Sequence, residues 1–315
     1  MPPVASHRQV RALALLVGLS AIAGCEVAFP LHDGYVGSAG DAGGASDGAG
    51  AGDSADAGGA ADAGDAESSG RVTYEQMILA DRPLLYLRLD DTTAAAKDSS
   101  GHGHDGTVGP GVGFGAKGLV LDDTDTAMSF PGTGDVGKIS IPRSADLERA
   151  SNLSVEVWVH FDGSPIPTLQ RSFVQYGNDD AAGGASYKLL LDSTIGAKPG
   201  RLAFQIDVAD TKAGTPYAIA ESIPPAPSQT YHVVGTFDGT QLVVYVNGTA
   251  ATTQMSNSSA ISYPSADGLF VGGYAPTVQG TTVFGGILDE VAIYDHVLSA
   301  STVLAHYHAG APPAP

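Results

Sequence analysis

The sequence predicts an all-β sandwich of two packed antiparallel sheets, closed by a short C-terminal helix. Three observations lead there. From Arg71 onward, short segments of alternating or β-branched residues are separated by Gly, Asp, Asn, Ser and Pro. Asp238-Gly239 and Asn247-Gly248 fall between such segments, where tight turns make hairpins. The order of segments never alternates with long helical patterns, which argues against repeated βαβ units and favours two antiparallel layers.

Each element follows from the pattern along the chain. Leu85, Leu87 and Leu89 share one strand face, with Tyr86 and Arg88 on the other. Leu153, Val155, Val157 and Val159 line one face of the next clear strand, and Ser154, Glu156 and Trp158 point away. Tyr187 to Leu191 and Leu202 to Ile206 read as further strands. Tyr231 to Phe237, Gln241 to Val246 and a strand from Thr249 make a three-strand meander through the two glycine turns. Ile287 to Tyr294 is the last strand. Ser299 then caps a helix from Ala300 to about Tyr307, stopped near Gly310. The count is about a dozen strands and one terminal helix.

The first 70 residues have another character. His7, Arg8 and Arg11 precede the apolar run Ala12 to Ala23, which is too short to span a bilayer and reads as an export signal. Ile22-Ala23-Gly24-Cys25 resembles a bacterial lipobox, with cleavage before Cys25 and a lipid on its thiol. Cys25 is the only cysteine, so an intrachain disulfide is impossible. Ser38 to Gly70 is almost wholly Gly, Ala, Asp and Ser, and no lysine or arginine occurs between Arg11 and Arg71. Such a segment cannot bury enough apolar surface to order itself. As a coil, residues 26–70 reach roughly 35–40 Å. The organisation is therefore a signal peptide over 1–24, a lipidated Cys25 with a disordered tether over 25–70, a domain over 71–310 and a short tail over 311–315. The expected location is the cell envelope, at the outer membrane or cell surface, with the lipid as the membrane contact.

Acidic residues number 34 against 15 lysines and arginines, a formal charge of -19. That balance disfavours nucleic acid as a partner, because its phosphates repel the chain.

Several stretches, taken together and in order, resemble a known family. They are Leu79 to Asp90, Asp98 to Gly106, Val155 to Val159, His232 to Gly239 and Leu288 to Tyr294. The set is similar to the bacterial laminin-G-like branch of the concanavalin A-like lectin/glucanase superfamily, over about residues 72–310. The resemblance implies a concanavalin A-like jelly roll whose N- and C-terminal strands lie close together. It implies a lectin-like binding role, for a glycan or an extracellular protein. Its departures are Leu87 where tryptophan is common, His104 and Asp105 where asparagine is common, and Thr302 where glutamate is common.

Candidate functional residues are few. Asp289 shares strand parity with Ile287, Val291 and Ile293, so it is expected on the core side, where a carboxylate needs hydrogen bonds or a metal. The loop from Asp98 to Gly106 offers a second carboxylate and backbone carbonyls. The resemblance implies a structural calcium joining Asp98 to Asp289, since calcium takes six to eight oxygens in such loops. Hydrogen bonding of both acids to backbone is the competing reading. Asp122, Asp123 and Asp125 form an acidic loop that turn preference explains. His102 and His104 lack a third partner, and His306 and His308 fall at the end of the helix, so surface positions are expected rather than zinc ligation.

Aromatic platforms suit sugars, which makes Trp158, Tyr176, Tyr187 and Tyr274 the candidate ligand-binding side chains, with core filling as the alternative. No catalytic residue is assigned. The Glu-x-Asp-x-x-Glu strand of the superfamily's glucanases is absent, Glu156 stands alone in its segment, and neither Gly-x-Ser-x-Gly nor His-Glu-x-x-His occurs. The reading is a non-catalytic, surface-displayed binding module. A structural envelope lipoprotein without a dissociable ligand is the alternative, and an enzyme related to glycoside hydrolases comes third.

Overall fold

The computed structural model describes residues 72–121, 126–134, 136–162, 170–178, 185–193, 200–208, 217–256, 258–274 and 283–311. All belong to the second of two units, Asp65–Pro315. Cys25, the tether and Asp122, Asp123 and Asp125 lie outside the described residues.

The chain enters on helix α1 (Tyr74–Ala80). It continues through β1 (Leu85–Leu87), β2 (Ala95–Ala96), β3 (Gly106–Val108), β4 (Gly113–Lys117), β5 (Thr126–Pro131), β6 (Ile139–Ile141), β7 (Leu153–His160) and β8 (Arg171–Tyr176). Then come β9 (Tyr187–Asp192), β10 (Arg201–Asp207), β11 (Tyr217–Glu221), β12 (Thr230–Phe237), β13 (Gln241–Val246), β14 (Thr249–Met255), β15 (Leu269–Val271) and β16 (Gly285–Tyr294), before helix α2 (Ala300–Gly310).

The strands form two antiparallel sheets. Sheet I runs β14-β13-β12-β7-β16-β5-β4, with β1 also pairing with β16. Sheet II runs β11-β10-β9-β8-β15-β6-β3-β2. The expected jelly-roll sandwich is present, and its first and last strands are hydrogen-bonded partners. The main core lies between the sheets. It takes Val155, Val157 and Val159 from sheet I and Tyr187, Leu189, Leu191, Leu202, Phe204 and Ile206 from sheet II. At one crossing the sheets press so closely that a Cβ on Gly235 would sit 2.2 Å from the Phe204 ring, which explains the glycine within β12.

The meander forms as expected. Asn247 (φ 51°) and Gly248 (φ 76°) take the left-handed backbone that a tight hairpin turn requires. Helix α2 starts where Ser299 accepts the Thr302 amide at 3.1 Å, but runs to Gly310, past the expected end. Helix α1 was not expected. Its signal lay in the sequence: Thr73 and Gln76 form a reciprocal capping box, with bonds of 3.2 and 3.1 Å.

Candidate functional site

Each sheet has an outer face, and the two differ. On sheet I, strand alternation turns Ser154, Glu156 and Trp158 of β7 outward. Register places His232 opposite Trp158, Val234 opposite Glu156 and Ala292 opposite Glu156 on its other side. Both helices lie over this face. Tyr74 and Ile78 of α1 and Val303 of α2 pack with Trp158, Val234, Tyr245 and Tyr294 into a second apolar cluster.

At its centre is Glu156, fully buried. It accepts hydrogen bonds from the hydroxyls of Tyr74 (2.9 Å) and Tyr294 (3.0 Å). His232 Nε2 lies 2.7 Å from Oε1 and His306 Nδ1 3.0 Å from Oε2. The other nitrogen of His306 meets Asp81, the residue that ends α1, at 2.8 Å. Trp158 donates its indole N–H to the Tyr74 hydroxyl at 2.9 Å.

Burial alone would raise the Glu156 carboxyl and lower His306. The charge each presents to the other, with the hydrogen bonds around them, reverses both effects. Glu156 is held well below the usual carboxylate range, and His306 is pushed up to about 9. The result is a buried ion pair that ties both helices to the sheet. Nearby, the Tyr86 hydroxyl donates to buried Glu290.

On sheet II the same alternation turns hydrogen-bonding side chains outward in a transverse row. Cross-strand pairing sets Thr107 beside Ser140, Ser140 beside Phe270 and Phe270 beside Gln175. Gln175 then neighbours Lys188, Lys188 neighbours Gln205, and Gln205 neighbours Ile219. Seven strands at ordinary spacing make this row roughly 29 Å long. Lys138 Nζ stands 5.9 Å from the centre of the Phe270 ring. Asp192 and Asp207 flank the row on β9 and β10, and Gln205 donates to Asp207 at 3.4 Å. Ser172 donates to Gln175 at 2.6 Å.

The expected platforms fall elsewhere. Trp158 faces away from the main core, as its parity requires, but α2 stacks on it: the Tyr307 ring lies 6.1 Å away at 17°. Tyr176 and Tyr187 point into the main core and stack on each other at 5.3 Å. These three are not exposed platforms. Tyr274 keeps partial exposure beyond β15.

Asp289 corrects the parity argument. Glu290 has φ 54°, and the β16–β7 register shifts between Asp289 and Ala292. This bulge leaves Leu288, Val291 and Ile293 in the main core and puts Asp289 on the outer face opposite Trp158. It is buried there, and its Oδ2 accepts the Leu119 amide at 2.8 Å. Asp98 accepts amides from Tyr86 (3.0 Å), Ser100 (2.9 Å) and His104 (2.9 Å). Burial would raise its carboxyl, yet these bonds hold it below the usual range. Three converging N–H groups therefore stabilise a charged Asp98, as the hydrogen-bonding reading of this loop requires.

Among the described residues, no group of three or more His, Cys, Asp or Glu side chains is arranged to hold a metal. The surface expectation fails for His306, which is fully buried, while His104 pairs with Asp146 at 2.9 Å. Glu156 and its two histidines escaped sequence reasoning because 76 and 150 residues separate the partners.

Residues 133–304 match the family model of the concanavalin A-like lectin/glucanases superfamily, and the chain belongs to that superfamily. Among solved structures it is similar to the botulinum neurotoxin serotype G binding domain, at 17% identity and a TM-score of 0.52, over 72% of this chain and 50% of that one. It is also similar to a point mutant of HCR/D, at 15% identity and a TM-score of 0.52, over 72% of this chain and 51% of that one. The match thus spans about half the length of those structures, and at such identity it shows the shared fold. No curated protein matches the chain.

Proposed function

We propose that the chain is a non-catalytic binding module displayed at the cell surface, and that its ligand, a glycan or an extracellular protein, meets the outer face of sheet II. One observation carries this reading. The outer face of sheet I is sealed by two helices over an apolar cluster, whereas that of sheet II carries a row of amide, ammonium, hydroxyl and phenyl groups with neither helix packed over it, although its central members are buried. Amides and hydroxyls pair with sugar hydroxyls, and an aromatic ring takes an apolar sugar face. Glu156, the acid with the most developed charge network, is enclosed where no substrate reaches it, which supports a non-catalytic role. A lipid on Cys25 would hold the module at the envelope. No described helix is long and apolar enough to cross a membrane.

The structural alternative also has an observation in its favour. Gln175, Lys188 and Gln205 are each more than nine-tenths buried, and Ser172 and Gln175 bond each other. A glycan and cell-surface polymer array probed with the full chain carrying Cys25→Ser separates the two. Binding is expected, with about tenfold weaker affinity in Phe270→Ala and Lys188→Ala. An arm with chelator tests the calcium expected at Asp98 and Asp289: binding lost there and regained on adding calcium would support the ion. No binding by a folded protein would leave the structural envelope role.

A further inference from the structure

We propose that β14 is a self-association edge, pairing antiparallel with β14 of a second copy of this chain so that sheet I continues across a twofold axis.

The strand orders of the two sheets end on β14, β4, β11 and β2. Three of these carry features that discourage a further partner. Strand β2 is only two residues long. Strand β4 is interrupted by Gly115 at φ 71° and by a register shift against β5, and it ends in Lys117. Strand β11 ends in Glu221, whose carbonyl oxygen already accepts the Thr252 hydroxyl. Short length, irregular backbone and charge are the usual means by which a sheet edge avoids pairing. Strand β14 lacks them over most of its length. It has seven residues, none charged and all but Thr252 exposed. Its register with β13 shifts between Val244 and Tyr245, which leaves Thr252 to Met255 regular.

The direction of its backbone groups follows from β13. Ser256 donates to the Thr240 carbonyl at 2.8 Å. Antiparallel alternation then turns the N–H and C=O of Thr252 and Gln254 towards β13. Those of Thr253 and Met255 point to the other side, where no described strand pairs with them. The Met255 carbonyl there accepts the side-chain amide of Gln254, its exposed neighbour, at 3.2 Å. Donors and acceptors at this spacing fit an extended strand. Charge and symmetry select a second copy. The chain carries a formal charge of -19, so two copies repel unless they meet where charge is lacking. No Asp, Glu, Lys or Arg occurs from Thr240 to Ala266, or from His296 to Pro315. Strand β14 lies in the first span and α2 in the second, and they adjoin at the turn before β14. A Cβ on Gly248 there would sit 2.8 Å from the Leu304 side chain. Leu304 and Met255 are 39% and 58% exposed, so apolar surface accompanies the open backbone. A strand paired antiparallel with itself about a twofold axis meets its own donors with its own acceptors. A charged peptide would find no counter-charge here.

Sedimentation velocity of the full chain carrying Cys25→Ser, over a wide range of concentration, tests the pairing. A reversible equilibrium between monomer and dimer is expected. Thr253→Pro deletes an outward N–H that β13 does not use, and Thr253→Lys brings like charges together across the axis. Each should weaken dimerisation by about tenfold or more while circular dichroism shows the fold retained. Thr253→Val, which keeps the backbone and adds no charge, should dimerise as the parent does. A monomer at every concentration would overturn the pairing and leave β14 open to an extended segment of another protein. A dimer of unchanged affinity in both Thr253→Pro and Thr253→Lys would also overturn it, because the contact would then lie elsewhere. Neither result bears on ligand binding at sheet II, which the glycan array measures separately.

Discussion

The two outer faces of the sandwich solve one problem in opposite ways. Both carry polar side chains that strand alternation turns away from the main core. On sheet I these are collected around Glu156, neutralised by His306, saturated by hydroxyls and covered by helices from the two ends of the domain. On sheet II they are spread in a line across seven strands, with Lys188 in the row and Asp192 and Asp207 beside it. A charge network that closes on itself specifies packing, whereas one left open has capacity for something else. Polarity alone therefore says little about which face binds. The distinguishing feature is what lies over the polar groups: both helices pack on the outer face of sheet I and neither on that of sheet II.

The largest expected effect comes from breaking the closed face. Glu156→Ala strips His306 of its counter-charge and two tyrosines of their acceptor, so denaturant unfolding should show a loss of about 3–5 kcal/mol. Ligand binding by the molecules still folded should be unchanged.

Next in size is Gly235→Ala. A methyl group 2.2 Å from the Phe204 ring overpacks the core that both faces share. Thermal denaturation should register about 1–3 kcal/mol.

Acidity sharpens the comparison without mutation. His306 titrates at about 9 in the fold against 6.5 unperturbed, so its contribution is complete below about pH 6.5 and is lost as pH rises through 9. Glu156 is depressed from 4.5, so its contribution is present above about pH 4.5 and is lost as pH falls through its folded value. The thermal midpoint should peak between about 4.5 and 6.5, and His306→Gln should flatten the alkaline limb. A midpoint still climbing at pH 8 would break the argument. Trp158 is the sole tryptophan, so its emission reports directly on the cover formed by α2.

The smallest effects belong to single bonds and to the open face. Trp158→Phe removes one hydrogen bond, to Tyr74, and should cost about 1 kcal/mol. Ser140→Ala, in the row on sheet II, should stay within about 0.5 kcal/mol in the same assay.

Much of the fold was legible because period-two patterning survives in single strands. The β7 alternation and the two glycine turns place their residues correctly. What failed were features that depend on distant partners or on one unusual backbone angle. Asp289 was assigned to the core side because nothing in Leu288-Asp289-Glu290-Val291 announces that Glu290 will adopt φ 54° and reverse the parity behind it. Trp158 was readable as outward-facing, but not as covered, since its cover is drawn from α1 and α2, some 84 residues before it in the case of Tyr74. Helix α1 was readable from Thr73 and Gln76. The row on sheet II became visible only once β3, β6, β15, β8, β9, β10 and β11 were set side by side, an order far from that of the chain.

Pairing of β1 with β16, and of Asp81 with His306, brings the beginning and end of the domain to one place. A short linker could join them, and new ends could be opened at the Asp238-Gly239 turn. Circular permutation should therefore be tolerated, and a reporter could be spliced in at the native ends while sheet II stays unobstructed.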